Sequence, residues 1–305
     1  MKPLRVGTRG SPLALWQARH VAMLLQQAWP GLECQLTLIE TRGDRITGQS
    51  LAEIAQAGFG VFTKEIQAAL LDGRADIAVH SLKDLPTVPV PGVTLAATPP
   101  RGPVGDVFVS KRYPSASALP PGARVATSSL RRRSQLLHHR PGVLVEGIRG
   151  NVETRLRKLD ELGLDGILLA EAGLHRLGLG HLVTEVCSRD WCLPAVGQGA
   201  IGLECREDDT EARELLARIN DLATLQAVTA ERSFLAALGG GCLVPIGAHA
   251  TQGPGGLSLR GVVLDPEGSR RVADELSGSS EAPSELGEHL AQNLLAAGAK
   301  ELLSR

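Results

Sequence analysis

Short apolar runs alternate with longer stretches in which apolar residues return every three or four positions. Leu4–Thr8 predicts a strand, and Pro12–Trp29 a helix with Ser11 as its N-cap and Pro12 in its first position. Gln35–Glu40 reads as a second strand, Val61–Leu71 as an amphipathic helix, and Asp76–His80 as a buried strand. A breaker cluster, Thr98-Pro99-Pro100-Arg101-Gly102-Pro103, then interrupts the pattern. It resumes with strands at Val107–Ser110 and Arg124–Ala126, a helix at Leu130–His139 and a strand at Val143–Glu146. A helix at Val152–Leu162 and a strand at Gly166–Ala170 follow. Such β/α alternation points to a mainly parallel sheet in each stretch.

Pro194-Ala195-Val196-Gly197-Gln198-Gly199 is a second crossing. If the chain returns there to its first lobe, two α/β lobes face a cleft and share a hinge. From about residue 220 the pattern changes. Leu222–Leu238 predicts a long helix, and Ala248–Thr251, Leu257–Val263 and Arg270–Glu275 predict antiparallel strands. Pro283–Ser304 predicts a closing helix. The expected division is 1–98 with 199–218, then 104–194, then an α+β domain over 219–305.

The 305 residues suit two or three domains, and 43% hydrophobic with 21% charged residues is a globular balance. Net charge is only −1, yet Arg124 to Lys158 holds nine Arg or Lys against two Glu. A basic zone in a neutral protein suggests an anionic ligand, with a solvated helix face as the plain alternative. Five cysteines at irregular spacing argue against a disulfide framework, and Cys187 and Cys192 lack the companions of a zinc site. With no signal-like or membrane-spanning run, the expected compartment is the cytoplasm, with reduced thiols.

Three loops place hydroxyls and arginines at predicted helix starts. They are Gly7-Thr8-Arg9-Gly10-Ser11, Thr127-Ser128-Ser129 before Arg131 and Arg132, and Arg149-Gly150-Asn151 before Arg155. Helix N-termini offer free N–H groups and a positive dipole end to carboxylates or phosphates. Simple capping explains any one loop. Three together favour an anion-binding cleft. Lys83-Asp84 follows a strand, where α/β lobes bind ligands, although spacing alone also allows a surface pair. His80 reads as a core histidine. Cys242, after Gly239-Gly240-Gly241, sits on an uncrowded backbone from which a thiol can reach a bulky partner. A small buried hydrophobe is the alternative there.

These residues together resemble the porphobilinogen deaminase family. The resemblance rests on Thr8–Gln17, Arg74–Asp84, Thr127–Arg132, Arg149–Val152, Pro194–Gly199 and Gly240–Gly247, in the family's order along nearly the whole chain. It implies two lobes like those of type II periplasmic binding proteins and a third, cofactor-bearing domain. It implies head-to-tail condensation of four porphobilinogen molecules into linear hydroxymethylbilane, with four ammonia molecules released. The primer would be a dipyrromethane cofactor in thioether linkage to Cys242. Asp84 matches the catalytic carboxylate. Ser11, Lys83, Asp84, Thr127, Ser129, Arg131, Arg132 and Gly150 match cofactor contacts, with Ser128 beside them. Arg9, Ser11, Arg149, Arg155 and Gln198 match substrate contacts.

A primer bearing four added rings carries a dozen carboxylates, which suits the arginine-rich loops. The family also implies a monomer, while few aromatics and an even overall charge argue against a nucleic-acid partner and the lack of a long apolar run argues against a membrane one. One departure stands out: Phe59, in a stretch 54–60 about two residues longer than usual, occupies a place where the family commonly has lysine. The rival classes are a two-lobed anion-binding protein without catalysis and a nucleic-acid binder, the latter disfavoured by few aromatics. Intact-protein mass spectrometry is expected to show an adduct of dipyrromethane size on the chain and none on Cys242→Ser. An active but unmodified chain would contradict this.

Overall fold

The computed structural model describes residues 2–41, 63–240 and 244–303. Cys242, Phe59 and the 54–60 stretch lie outside them. The chain divides into two compact units, one formed by Met1–Gly102 with Ala200–Leu225 and the other by Pro103–Gly199 with Gln226–Arg305.

The first unit is built on a five-stranded sheet. Its strands are β1 (Leu4–Thr8), β2 (Cys34–Leu38), β3 (Ile77–Ser81), β4 (Val93–Ala97) and β10 (Ile201–Arg206), in the order β2-β1-β3-β10-β4. β1 runs parallel to β2 and β3, whereas β10 is antiparallel to both of its neighbours. Four strands therefore share one direction and a single reversed strand lies among them. Helices α1 (Pro12–Ala28), α2 (Lys64–Leu71) and α6 (Thr210–Ala217) cover the faces. Val6, Val21, Leu25, Ile77 and Leu203 pack on one side, and Ile39, Ile66, Leu70 and Ala78 on the other. A sheet covered on both faces needs runs without polar alternation, and Ile77–His80 is such a run.

The second unit holds a sheet of the same design. Its strands are β5 (Asp106–Val109), β6 (Arg124–Ala126), β7 (Leu144–Glu146), β8 (Gly166–Ala170) and β9 (Glu185–Val186), ordered β7-β6-β8-β5-β9. Here too a parallel trio is followed by one antiparallel strand and an edge strand. The reversed strand is the last of the first sheet and the first of the second. That permutation follows from the connectivity. The chain leaves the first unit before its sheet is complete, builds the second sheet, and returns to lay β10. Successive residues of β5 and β8 point to opposite faces, so Phe108 and Leu168 join one core while Val107, Val109, Ile167 and Leu169 join the other. Helices α3 (Leu130–His139), α4 (Val152–Glu161) and α5 (Glu171–Arg176) belong to this sheet.

The same unit contains an antiparallel meander, β11 (Ile246–Gly253), β12 (Gly256–Leu264) and β13 (Arg271–Gly278). Helices α7 (Leu222–Ala237), α8 (Pro283–Ala296) and α9 (Ala299–Leu303) accompany it. The single helix expected over Pro283–Ser304 is two, because the backbone leaves helical geometry at Ala297. β4, β9, β10, α5 and α6 had no counterpart in the hydrophobic pattern. The buried carboxylate of Glu231 on α7 accepts the backbone N–H groups of Gly197 (2.7 Å) and Ala250 (2.9 Å), joining helix, crossing and β11. Phe234, 0% exposed, centres this core. Phe234→Ala is expected to destabilise the chain by about 3–5 kcal/mol, measured by denaturant unfolding.

Candidate functional site

In the first unit, β1 and β3 are parallel neighbours, so the loops after them leave the same sheet edge. After β1, Ser11 caps α1, its Oγ accepting the N–H of Ala14 at 3.4 Å. Arg9 is half-buried in this loop, and the buried Thr8 donates its hydroxyl to Ala14 O. After β3, residues Leu82–Asp84 make one 3₁₀ turn. Leu82 and Leu85 are buried and anchor it, Leu82 N–H donating to Ala200 O at 3.1 Å. Lys83 and Asp84, held between the two leucines, stay half-exposed. Gln17 of α1, 2% exposed, exchanges hydrogen bonds with the Ser81 hydroxyl at 2.9 and 3.3 Å. The loop carrying Arg9 and Ser11 is thus tied to the turn carrying Asp84. His80 is a core residue, 3.0 Å from the Glu204 carboxylate, which also accepts from Gln67.

In the second unit, β6 and β7 are parallel neighbours and again release two loops from one edge. Thr127-Ser128-Ser129 leads into α3, where Ser129 accepts the N–H of Arg132 at 3.4 Å. Residues 147–151 lead into α4, where Asn151 accepts the N–H of Thr154 at 2.8 Å. Ser128 laces the loops together, donating to Ile148 O at 2.5 Å and accepting from Ile148 N at 3.0 Å. Thr127 accepts from Ser129 N at 3.2 Å. Two helix N-termini therefore stand side by side, their dipoles adding at one place. Gly150 has φ +113°, and a Cβ there would lie 2.5 Å from the Thr154 methyl, so the loop admits only glycine. Arg155 donates from Nε to Gly150 O at 2.8 Å, and Lys158 donates to Arg149 O at 3.2 Å. Nη2 of Arg149 is buried with no hydrogen-bond partner among the described residues.

Arg131 and Arg132 are buried, and both bind the fully buried carboxylate of Asp106. Arg131 donates from Nη1 to Asp106 Oδ2 at 2.5 Å and to Leu193 O at 2.6 Å. Arg132 donates from Nε to Asp106 Oδ1 at 2.8 Å and from Nη1 to Leu168 O at 3.2 Å. Burial by itself would raise the Asp106 carboxyl. The two guanidiniums and their hydrogen bonds outweigh it and hold the group well below the usual carboxylate range. Gln198, expected at a substrate, is 1% exposed in the second crossing. Its amide nitrogen donates to Val104 O, Gly105 O and Asp106 Oδ1 at 2.8, 3.0 and 3.0 Å.

Sequence reasoning missed Asp106 and Arg176. The signal for Asp106 was an acid opening the apolar run Asp106–Val109. Arg176, on the last turn of α5, donates to Gly199 O at 2.6 Å, and burial pushes its guanidinium down to about 10. The turn between β12 and β13 packs on α3. Asp265 folds that turn by accepting from Glu267 N, Ser269 N, Ser269 Oγ and Arg270 N. A Cβ on Gly268 would sit 2.3 Å from Ser134 O, and Gly268 O lies 2.9 Å from His138 Nδ1. Cys242 falls between the described ends at Gly240 and Val244, in the link from α7 to β11.

Two family models match the chain. Residues 4–214 match "Porphobilinogen deaminase, dipyromethane cofactor binding domain", and residues 225–296 match "Porphobilinogen deaminase, C-terminal domain". The porphobilinogen deaminase of Syntrophotalea carbinolica is 48% identical, over 99% of this chain and 95% of that protein. The porphobilinogen deaminase of Moorella thermoacetica is 48% identical over 99% and 96%, and that of Maridesulfovibrio salexigens 46% over 100% and 98%. Among solved structures, the methionine binding protein MetQ is similar at 14% identity with a TM-score of 0.45, covering 75% of this chain and 92% of that one.

The depressed Asp106 carboxyl has a direct consequence for acid stability. A folded pKa below the unfolded value of about 3.9 gives stability that is fully present above that pH and is lost as pH falls toward the folded pKa. The gap in melting temperature between the wild type and Asp106→Asn is therefore expected to stay flat from about pH 8 to pH 5 and to shrink below about pH 4, followed by circular dichroism.

Proposed function

The chain belongs to the porphobilinogen deaminase family, and from that premise we propose which of its residues perform each part of the family's reaction. The enzyme is a transferase that condenses four porphobilinogen molecules head to tail into hydroxymethylbilane and releases four ammonia molecules. The residue roles are carried by one observation: buried guanidinium N–H groups of Arg131, in the first turn of α3, and of Arg149, on the loop before α4, have no hydrogen-bond partner among the described residues. Unpaired buried donors are costly, at about 1–3 kcal/mol each, and suit a ligand that supplies acceptors.

The dipyrromethane cofactor, an anionic group, fits that donor set. Cys242 would hold it covalently, and Ser11, Lys83, Asp84, Thr127, Ser129, Arg131 and Gly150 would hold it without a covalent bond, with Arg132 behind Arg131, its three nitrogens on protein acceptors. When bound, it supplies the free pyrrole α-carbon from which the chain grows. Arg9, Ser11, Arg149 and Arg155 complete the set on the substrate side, whereas Gln198, which the family resemblance matches to a substrate contact, is buried with its amide nitrogen on Val104 O, Gly105 O and Asp106. The N-terminal dipoles of α3 and α4 lower the free energy of carboxylates placed before them. Arg149 and Arg155 add charge-assisted hydrogen bonds.

Asp84 carries the chemistry in this reading. Its carboxylate, presented by a turn anchored on two buried leucines, accepts hydrogen bonds from the pyrrole N–H of the incoming porphobilinogen. As the C–N bond to ammonia breaks, positive charge spreads into that ring, and the negative charge of Asp84 stabilises it. Lys83 balances substrate carboxylates nearby. We carry forward a three-domain division, over 1–98 with 199–218, 104–194 and 219–305, and a cytoplasmic monomer. The family resemblance supports both. No described helix is long and apolar enough to cross a membrane.

Asp84→Asn is expected to keep the mass adduct and to lose turnover by roughly 10²–10⁴-fold in a single-turnover assay with porphobilinogen. Turnover near wild type would remove Asp84 from its role. Arg149→Ala is expected to stall elongation, visible as intermediates with fewer added rings.

A further inference from the structure

Among the described residues, Asp106 is the one carboxylate that is wholly buried beside the arginines of α3. It opens β5, the first strand laid after the chain enters the second unit. Four donors converge on it. Oδ2 accepts from Arg131 Nη1 at 2.5 Å and faces the Cys192 thiol at 3.4 Å. Oδ1 accepts from Arg132 Nε at 2.8 Å and from Gln198 Nε2 at 3.0 Å. A carboxylate offers about four lone-pair sites, so this one is saturated. It has no capacity left for a ligand, and its effect on a ligand can only pass through the arginines.

That effect differs between the two. Arg132 has each of its three nitrogens on a protein acceptor: Asp106, Leu168 O and, at 3.5 Å, Gln198 Oε1. In Arg131 the two protein acceptors both fall on Nη1. Neither of those acceptors falls on Nε or Nη2, Nε is buried with no hydrogen-bond partner among the described residues, and the Cys192 thiol lies beside the same guanidinium. Those two nitrogens form one edge of the guanidinium, the fork that grips a carboxylate with two parallel N–H bonds. The charges agree with this count. Two guanidiniums and one carboxylate leave a single net positive charge, matched by one anionic carboxyl group.

We propose that Asp106 is a positioning residue: it turns Arg131 so that its Nε–Nη2 edge is free to hold one carboxylate of the pyrrole chain, while Arg132 braces the arrangement. Gln198 and Cys192 support Asp106 from the second crossing. This rests on the reading that Arg131 binds a cofactor carboxylate, and the experiment separates the two.

Full-length Asp106→Asn, Cys192→Ala, Arg131→Lys and the Asp106→Asn/Arg131→Lys pair are purified as folded, gel-filtered protein. Whole-protein mass gives the fraction carrying the adduct, and melting gives stability. Arg131→Lys keeps the charge and loses the fork. It is expected to lower the adduct fraction per folded chain by roughly tenfold to a hundredfold, and Asp106→Asn by a similar factor. The double variant should be no worse than either single one, since both act through the same edge. Cys192→Ala leaves no buried charge uncompensated and decides the matter if Asp106→Asn does not fold. It should lower the adduct fraction measurably without a matching fall in melting temperature. If Arg131→Lys loses the adduct while Cys192→Ala and any folded Asp106→Asn keep it, Asp106 is structural only and the proposal fails. Multiplicative losses in the double variant overturn it as well. If Arg131→Lys itself keeps the full adduct, the underlying reading of Arg131 fails with it.

Discussion

A carboxylate buried against two guanidiniums is the constraint around which the second unit is organised. Moving Asp106 out of water is opposed by several kcal/mol, and only close, well-aligned partners offset this. The partners come from two directions: α3 and the returning segment at 192–198. Removing Asp106 leaves two buried guanidiniums without their counter-charge, which is far more destabilising than never having buried the group. The segments that enter and leave this unit are therefore locked to the helix that carries the paired arginines. Glu231 plays a parallel part lower in the same unit, fixing Gly197 and Ala250 through their backbone N–H groups.

Electrostatics at the two loop pairs follows from backbone geometry before any side chain is considered. In each unit, parallel neighbouring strands deliver their loops to one edge, and a helix starts from that edge. Caps at Ser11, Ser129 and Asn151 engage only one N–H apiece, so other first-turn N–H groups of each helix stay available. Ser128 turns two separate N-termini into one feature by bridging their loops. Together the loops present an extended array of donors rather than a single strong point. Such an array suits a ligand that lengthens by repeating units.

Much of this was legible in the sequence because it is local. Ser11 before Pro12, Ser129 before the helix at Leu130, and Asn151 before Val152 announce their own caps. The strands Leu4–Thr8, Arg124–Ala126 and Gly166–Ala170 have the boundaries that their apolar runs predict. What stayed hidden depends on distant residues. β10 reads as an unremarkable mixed segment, and only its place between β3 and β4 makes it a strand. The burial of Arg131 and Arg132 could not be read either, since a run of three arginines looks like a solvated helix face. Their partner lies 25 residues upstream of the first of them. Gln198 carried a family signature, but its amide is engaged at the crossing, a placement that spacing cannot reveal. Cys242 lies in the short stretch outside the described residues.

The fit of Gly268 against α3 gives that helix two masters. Its first turn is fastened through Asp106 to the segments where the chain enters and leaves the lobe. Its last turn is pressed by a turn from the meander, the subdomain that also receives the link containing Cys242. A rigid rod fastened at both ends acts as a gauge: it sets the spacing between the meander and the helix starts at Ser129 and Asn151. Lengthening the β12–β13 turn by one residue would reset that gauge while leaving the apolar cores of the unit intact.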